Sequence, residues 1–541
     1  MGQLHGHCLP TVADGSVHMR FQGKWKPSEL PQDLITDLYH DLVRHLTTIQ
    51  MVKSITSTNP SSNGNSRMLI VLPTELLDTI ASYVDAHCDL VSFAQVCRAF
   101  QQIAIPRHTD YRLVRCHYRR HVVWKHLVAR PDLTENVRVL EVLGELESTR
   151  NKSECVPYVV REEGRKGRKK EKVRYSSAES LMLVAEALEK MESLQKFVWS
   201  TSLGFSKEAE RQAETRIWRA VSQHQMLQHV EFMQALNPPA LFLAGPSTYP
   251  MWSISNLKSL SVENAAFLRQ EESVRHFSRI LQQSPCLESL RLVLYDWSFQ
   301  LSHLLTDVSL PSLRFLTLEI YADPEANAKP FTDLLERTPT LESLKFYYLS
   351  LLPLKPDSLP SLKRVCVDEG EDVPLSSILT GHRAIEAIGR IPLTDRYLDI
   401  LRNVDGTALR KLELTWFDSV DALLEVAAMF PKLTWFRVPS ADYMYAWMSA
   451  TAGPVYVDQW GSILESLPEL EVFHGVSFFK DPEGSGLNDN DDRARQIANT
   501  CKALRRVDHW ENANPSKVIV VVRDGDSVSW REEAVRRRDY Y

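Results

Sequence analysis

Residues 285–296 read PCLESLRLVLYD and residues 311–322 read PSLRFLTLEIYA, and both stretches carry the same leucine spacing, L-x-x-L-x-L. The spaced residues are Leu287, Leu290 and Leu292 in the first stretch and Leu313, Leu316 and Leu318 in the second. The last two leucines of each triplet flank one polar residue, which is the alternation of a β-strand with one buried face. Each stretch therefore predicts a short strand that begins after a proline-containing turn.

The same triplet recurs in about a dozen copies along the chain. The two other clean copies are Leu341/Leu344/Phe346 and Leu409/Leu412/Leu414. The weaker copies are Val137/Leu140/Val142, Leu194/Phe197/Trp199, Leu227/Val230/Phe232, Leu257/Leu260/Val262, Leu362/Val365/Val367, Leu433/Phe436/Val438, Leu470/Phe473 and Leu504/Val507. Longer gaps follow the first copy and precede Leu409. This recurrence indicates an internal repeat.

Many intervals between the triplets have helical patterns. In residues 271–285, EESVRHFSRILQQSP, the apolar residues Phe277, Ile280 and Leu281 would share one buried helix face. A strand followed by a helix is the unit of leucine-rich repeats, which stack because one unit cannot bury its apolar side alone. The expected fold class is α/β, with a curved parallel sheet inside and helices outside. A conventional α/β sheet is the alternative, and a hairpin at Asp524-Gly525 would cap the end.

The bulk composition narrows the functional classes. The chain has 541 residues and a formal net charge of −6, so no overall field would draw it to nucleic acid or to an anionic membrane. No apolar run is long enough to span a bilayer, and the N-terminus lacks the pattern of a signal peptide. The eight cysteines are scattered, which is typical of free thiols in a reducing compartment. We therefore expect a cytoplasmic or nuclear protein.

Residues 72–105 predict three short helices before the repeats begin. Pro73 suits the first helical position, and Leu76, Ile80 and Val84 would line one face of the first helix. Asp89 would cap the second helix, whose inner side would carry Leu90, Phe93, Ala94 and Cys97. A unit this small is below the usual size for a self-sufficient core. Its apolar residues either cap the first repeat or dock on another protein.

The stretch 72–104, LPTELLDTIASYVDAHCDLVSFAQVCRAFQQIA, resembles the F-box. The matching residues are Leu72, Pro73, Glu75, Leu76, Ile80, Asp89, Leu90, Ala94, Val96, Cys97, Arg98 and Phe100. With the repeats that follow, the chain resembles fungal F-box proteins with C-terminal leucine-rich repeats. A second Leu-Pro, at Leu30-Pro31, has no downstream match and is interpreted as the start of an ordinary amphipathic helix.

The resemblance implies a non-catalytic subunit that needs no cofactor. Its F-box would bind a Skp-type adaptor and, through it, a cullin–RING ubiquitin ligase, while the repeats would hold an unknown protein substrate. The implied adaptor contacts are Leu72, Pro73, Leu76, Ile80, Leu90, Val96, Cys97 and Phe100. The alternatives are a repeat scaffold without a ligase role and an enzyme with an α/β fold.

The expected organisation has three parts. Residues 1–66 form an amphipathic segment and a flexible linker, residues 67–110 form the F-box, and residues 111–541 form the repeat domain with its cap. If the strands line the inner side of an arc, the residues between the buried leucines face away from the core. The candidate substrate contacts are then Arg291, Thr317, Glu319, Lys345, Tyr347, Glu413, Thr415 and Arg437.

Other polar clusters give weaker signals. Cys116, His117, His121 and His126 lie close together in the sequence but lack the ligand spacing of a zinc site, so we expect no metal. The basic run 161–174 is interpreted as a solvated loop, with a nuclear localisation signal or a nucleic-acid patch as the alternative. The acidic run 481–492 lacks EF-hand spacing. No nucleotide-binding or hydrolase motif is present.

Overall fold

A computed structural model describes most of the chain beyond residue 73. The residues described are 11–13, 16–18, 74–84, 87–144, 154–161, 175–200, 207–233, 249–263, 268, 271–295, 299–306, 308–367, 375–379, 383–438, 457–474, 495, 498–508, 517–525 and 527–534. Near the N-terminus, β1 (Thr11–Ala13) pairs antiparallel with β2 (Ser16–His18). The rest of the expected N-terminal segment, the acidic run and all but the start of the basic run lie outside these residues.

One open sheet of sixteen strands organises the rest of the described chain. Its strands are β3 (Leu113–His117), β4 (Val139–Leu143), β5 (Lys196–Ser200), β6 (His229–Met233), β7 (Ser259–Glu263), β8 (Ser289–Leu294), β9 (Phe315–Ile320), β10 (Ser343–Tyr347), β11 (Arg364–Val367), β12 (Ala387–Leu393), β13 (Lys411–Phe417), β14 (Trp435–Arg437), β15 (Val472–His474), β16 (Arg506–Asp508), β17 (Lys517–Asp524) and β18 (Ser527–Ala534). Neighbours in sequence are neighbours in the sheet. Pairing is parallel from β3 to β16 and antiparallel from β16 to β18.

The triplets predict these strands correctly. Each copy found in the sequence lies at one of the strands β4–β11 or β13–β16, and all of its apolar residues are buried. Equivalent positions pair across strands: Leu290 lies opposite Leu316, and Leu292 lies opposite Leu318. The buried ladders pack into one core that extends from Tyr111 to Ile519. The expected α/β class and the strand positions are confirmed.

The triplet pattern has no copy at two strands, β3 and β12, although β3 lies in residues 108–118, where the resemblance to fungal F-box proteins implies a strand. β12 fills the long gap before Leu409, where Ile385 and Ile388 begin a triplet that Arg390 interrupts. Arg390 has a φ of 59°, and the register with β13 shifts between Ile388 and Ile391. This irregularity moves the third apolar residue to Ile391 and hides the spacing.

Helices connect most of the parallel strands. The helices are α1 (Thr74–Tyr83), α2 (His87–Val96), α3 (Arg98–Ala104), α4 (His121–Ala129), α5 (Pro131–Thr134), α6 (Ser177–Leu188), α7 (Glu208–Gln223), α8 (Glu271–Gln282), α9 (Leu301–Leu305), α10 (Pro324–Glu336), α11 (Leu375–Leu379), α12 (Asp395–Leu401), α13 (Val420–Met429) and α14 (Val457–Glu465). From α4 onward they pack on one another and on the buried side of the sheet. Several begin at side-chain caps, such as the capping box of Ser176 with Glu179.

Both ends of the sheet have additional pairing. The predicted hairpin is confirmed: β17 and β18 pair from Lys517–Ala534 to Asp524–Ser527, and Gly525 in the turn has a φ of 58°. At the other end, the backbone of Arg115 in β3 exchanges two hydrogen bonds with Cys155, at 2.7 and 2.8 Å. Cys155 therefore covers part of the outer edge of β3.

A buried acid in the helix layer gives a stability prediction. Glu214 of α7 is buried beside Trp218 and Tyr249, and burial raises the pKa of its carboxyl to about 8, although hydrogen bonds from both neighbours oppose the rise. The unfolded carboxyl titrates near 4.5, so between these pH values only the folded protein holds the proton. Stability therefore falls as pH rises from 4.5 to about 8. Glu214→Gln should remove this loss and stabilise the protein by about 3 kcal/mol at pH 7.

Urea unfolding at several pH values between 5 and 8 measures this slope, in the range where the folded and unfolded Glu214 differ in protonation. Glu208→Gln on the same helix is the control, since the exposed Glu208 pairs with Arg211, which lowers its pKa below this range. A pH slope that is unchanged in Glu214→Gln would show that the carboxyl does not carry the proton.

Candidate functional site

The three helices at the start of the described chain have their own small core. Helices α1, α2 and α3 bury ten apolar residues that form a cluster separate from that of the sheet. They are Leu77, Ile80, Ala81, Val84, Leu90, Phe93, Ala94, Phe100, Ile103 and Ala104. The rings of Phe93 and Phe100 stack with centroids 4.4 Å apart. The predicted three-helix unit therefore exists and packs largely on itself.

The expected adaptor contacts divide between this core and its surface. Leu72 and Pro73 lie outside the described residues. Ile80, Leu90 and Phe100 are buried in the small core, Leu76 is half-buried, and Val96 and Cys97 are exposed. Ile80, Leu90 and Phe100 are buried and therefore stabilise the fold of the unit itself. Their contact with an adaptor stays a prediction.

Three details of the sequence interpretation of these helices are wrong. Leu77, not Leu76, joins Ile80 and Val84 on the buried face of α1. Cys97 is exposed between α2 and α3, although it was expected on the inner side. Asp89 lies inside the first turn of α2, which begins at His87, and so is not its N-cap. Adjacent leucines in the sequence left the rotation of α1 undetermined, because either one gives helical spacing.

Exposed apolar side chains are concentrated on the same small unit. Tyr83, Val91, Val96 and Ile105 are exposed, with Val91 at 37% and Val96 at 40% of their full surface. Val91 and Val96 both belong to α2, five residues apart. Only Val96 had been expected from the sequence, because the F-box pattern places no apolar requirement at the other three positions. The unit therefore exposes four large apolar side chains while ten other apolar residues fill its core.

Polar contacts attach the unit firmly to the first strand of the sheet. The guanidinium of Arg112, just before β3, donates to the carbonyls of Ala81 and Ser82 at 2.8 and 3.2 Å. Asp78 of α1 accepts from Arg107 at 3.2 Å and contacts Nε2 of His108 at 3.0 Å. Burial lowers the pKa of His108, although Asp78 opposes that shift. Charged side chains thus hold α1 against the segment that leads into β3.

Residues 69–116, which contain α1–α3 and most of β3, match the model of the F-box-like family. The chain therefore contains an F-box-like domain, a type of domain that typically serves as a non-catalytic component of ubiquitin ligases. Such domains generally bind Skp-type adaptors. No curated protein matches the chain.

The candidate substrate contacts lie on the sheet face opposite the helices, here called the open face. The register places Arg291, Thr317 and Lys345 side by side on β8, β9 and β10. Glu319 and Tyr347 pair in the next row, towards the carboxyl ends of the strands. The structure thus assembles these five residues into one area.

The other three candidates form a second group. Glu413 and Arg437 pair across β13 and β14, and Thr415 follows on β13. β11 and β12 separate this group from the first. The contacts with a substrate stay predictions for both groups.

Ion pairs compensate several of the charges of the open face. Arg291 pairs with Glu263 at 3.2 Å, Lys345 with Glu319 at 3.6 Å, and Arg437 with Glu413 at 3.0 Å. Two further pairs, Arg115–Glu141 and Lys196–Glu231, continue the pattern on β3–β6 at 2.6 and 3.5 Å. The mixed charges in the sequence did not indicate a ligand class. The structure explains this, because acidic and basic side chains on neighbouring strands form ion pairs with one another.

Tyr347 lies on the open face but is covered by neighbouring side chains. It is buried, with the Nζ of Lys345 at 4.9 Å and the guanidinium carbon of Arg390 at 5.2 Å from the ring centroid. Burial, followed by its contact with Cys366, raises the pKa of its hydroxyl. The ring is thus covered by two cations rather than presented to solvent.

The histidine-rich stretch is spread over separate contacts. His121 contacts the hydroxyl of Ser180 at 2.6 Å, His126 contacts the hydroxyl of Tyr111 at 2.6 Å, and Cys116 is buried in β3. Among the described residues, no three His, Cys, Asp or Glu side chains are grouped as metal ligands. None of the helices in the described part of the chain is long and apolar enough to span a membrane.

Proposed function

We propose that the protein is the substrate-recognition adaptor of a Skp–cullin–F-box ubiquitin ligase. The match of residues 69–116 to the F-box-like family carries this proposal. The exposed valines of α2 support it, because a small unit with a complete core gains nothing within the chain by exposing them. The docking surface comprises Leu72, Pro73 and Leu76 together with Val91, Val96 and Cys97.

The second part of the proposal is that the sheet and its helices form a leucine-rich-repeat solenoid of the kind carried by fungal F-box proteins. The support is the repeated unit: a buried triplet, a parallel strand and, in most units, a helix that packs on the next one. A solenoid leaves one long face of strands uncovered by helices. The open face would hold the substrate there.

The mechanism requires no catalytic residue in this chain. Binding the adaptor at one end and the substrate on the open face raises the effective concentration of substrate lysines near the charged ubiquitin-conjugating enzyme. The contact of Arg112 with the end of α1 supports this proposal, because a short, hydrogen-bonded connection between the two parts would limit the volume that the substrate explores. The described cysteines are free, which fits action in the cytoplasm or nucleus.

The test is to mix the full chain with a Skp-type adaptor and to follow complex formation by size-exclusion chromatography. We expect a complex that Leu72→Ala with Pro73→Ala weakens while thermal unfolding of the chain stays nearly unchanged. Leu30→Ala with Pro31→Ala, at the look-alike motif, is the matched control. A folded chain that does not bind the adaptor would refute the ligase role.

A further inference from the structure

Three tyrosines form a ladder at the carboxyl ends of adjacent strands. Tyr295 follows β8, Tyr321 follows β9 and Tyr348 follows β10. The ring centroids of Tyr295 and Tyr321 are 4.6 Å apart, and those of Tyr321 and Tyr348 are 4.0 Å apart. Both pairs are tilted by 33°. We call these three residues the tyrosine ladder.

The backbone of Tyr348 is in an unusual conformation that brings its ring into the ladder. Tyr347 faces the open side with Lys345, so regular alternation would send Tyr348 to the helix side. Tyr348 instead has a φ of 57°, in the left-handed region that a bulky residue rarely adopts. This turn breaks the alternation and allows the ring to stack on Tyr321. Residues with strained backbone cost free energy and cluster at functional sites, although Arg390 shows that this chain also has one inside a strand.

The ladder offers a rigid surface to a ligand. Tyr295 and Tyr348 keep 42% and 44% of their surface exposed. Tyrosine supplies a large contact area at a low entropic cost, and its hydroxyl donates a hydrogen bond. Burial, and then the negative charges of Glu263 and Glu319, raise the pKa of Tyr295, so its hydroxyl stays protonated.

The charges around the ladder favour an uncharged ligand. Arg291 and Lys345, the cations on the strands that carry the ladder's outer rings, are paired with Glu263 and Glu319. A phosphate or carboxylate ligand would have to displace these carboxylates, and a cationic ligand would have to displace the bases. An aromatic surface with compensated charges instead suits apolar residues that leave backbone carbonyls free.

We propose that the tyrosine ladder binds a proline-rich, extended segment of a partner polypeptide. Such segments adopt the polyproline II conformation, which has no internal hydrogen bonds and docks on aromatic-lined surfaces. One three-residue turn of that helix is roughly 9 Å long, close to the length of the ladder. The tyrosine hydroxyls donate to its carbonyls. The segment's role as the recognition signal of a ubiquitination substrate rests on the proposed function, whereas its binding does not.

Titration of the full chain into a fluorescently labelled decaproline peptide, followed by anisotropy, tests this site. We expect saturable binding that Tyr321→Ala weakens by about tenfold or more, because the central ring contacts both neighbours. Tyr348→Gly is the second variant. It removes a ring while relieving the left-handed backbone, so weaker binding would not reflect poorer folding. Tyr158→Ala, at an exposed tyrosine away from the ladder, should bind like the wild type.

Three results would overturn the proposal: no binding of decaproline, equal binding by all ladder variants, or preferential binding of an oligolysine peptide or a single-stranded oligonucleotide that the same variants lose. Adaptor capture is measured on the same samples. If the wild-type chain bound decaproline but not the adaptor, only the ligase role would be refuted. If it bound the adaptor but not decaproline, only the ladder proposal would be refuted.

Discussion

Replacing Val91 and Val96 together by glutamate is expected to reduce adaptor capture by about a hundredfold or more. Both side chains belong to α2 and are exposed in the free chain. In a complex they would be buried against the adaptor, and a buried unpaired carboxylate costs several kcal/mol. Since neither valine belongs to the small core, the unfolding midpoint should hardly change.

Isothermal calorimetry with the purified adaptor measures this loss. Val122→Glu is the matched control, because Val122 on α4 is 54% exposed but lies outside the F-box-like match. Phe93→Ala removes a stacked ring from the small core. Unlike the glutamate variant, it should lower the stability of the three-helix unit. Unchanged affinity in the double glutamate variant would place the adaptor contact elsewhere.

The second large effect is expected at Arg383, which precedes β12. Its guanidinium is buried and donates to the carbonyls of Ser358, Ser377 and Ile378 at 2.7–3.0 Å. Burial lowers the pKa of Arg383, and hydrogen bonds to the carbonyls compensate for the loss of hydration of the guanidinium. Arg383→Ala leaves these carbonyls buried without their donor and should destabilise the protein by about 4 kcal/mol. Arg383→Lys should recover only part, since one ammonium cannot reproduce the planar fork.

Urea unfolding of the full chain measures both variants. Arg402→Ala is the control, because Arg402, which directly follows α12, is exposed and its ion pairs with Asp399 and Glu425 contribute little. If Arg383→Ala were no more destabilising than Arg402→Ala, the buried guanidinium would not hold α11 to the preceding loop.

The strands were predictable because buried side chains repeat at fixed offsets. The strand at Leu290 and Leu292 can be predicted without knowing which strands lie beside it, because one buried face imposes the alternation within the strand itself. The three helices of the F-box-like unit were predictable from apolar spacing, whereas the family was predictable only from a sequence resemblance. Spacing alone could not decide between Leu76 and Leu77 on α1.

The missed features depend on contacts that no local pattern contains. β12 was missed because the left-handed Arg390 displaces one apolar residue. The tyrosine ladder joins residues from three repeats, and its third member depends on a backbone turn at Tyr348. The neutral character of the open face results from diagonal pairs such as Lys345–Glu319, which form only once the register is set.

The pairing at the two ends of the sheet also limits where strands can be added to it. Cys155 covers part of the β3 edge, and the charged hairpin strand β18 ends the other side, so neither end readily accepts another strand. A change in the number of repeats must therefore enter between the ends. Each inserted strand would move everything beyond it by about 4.8 Å relative to the F-box. The tyrosine ladder begins at β8, five strand spacings from β3. The register thus sets a distance of roughly 24 Å along the sheet between β3, which follows the F-box-like unit, and β8, where the tyrosine ladder begins.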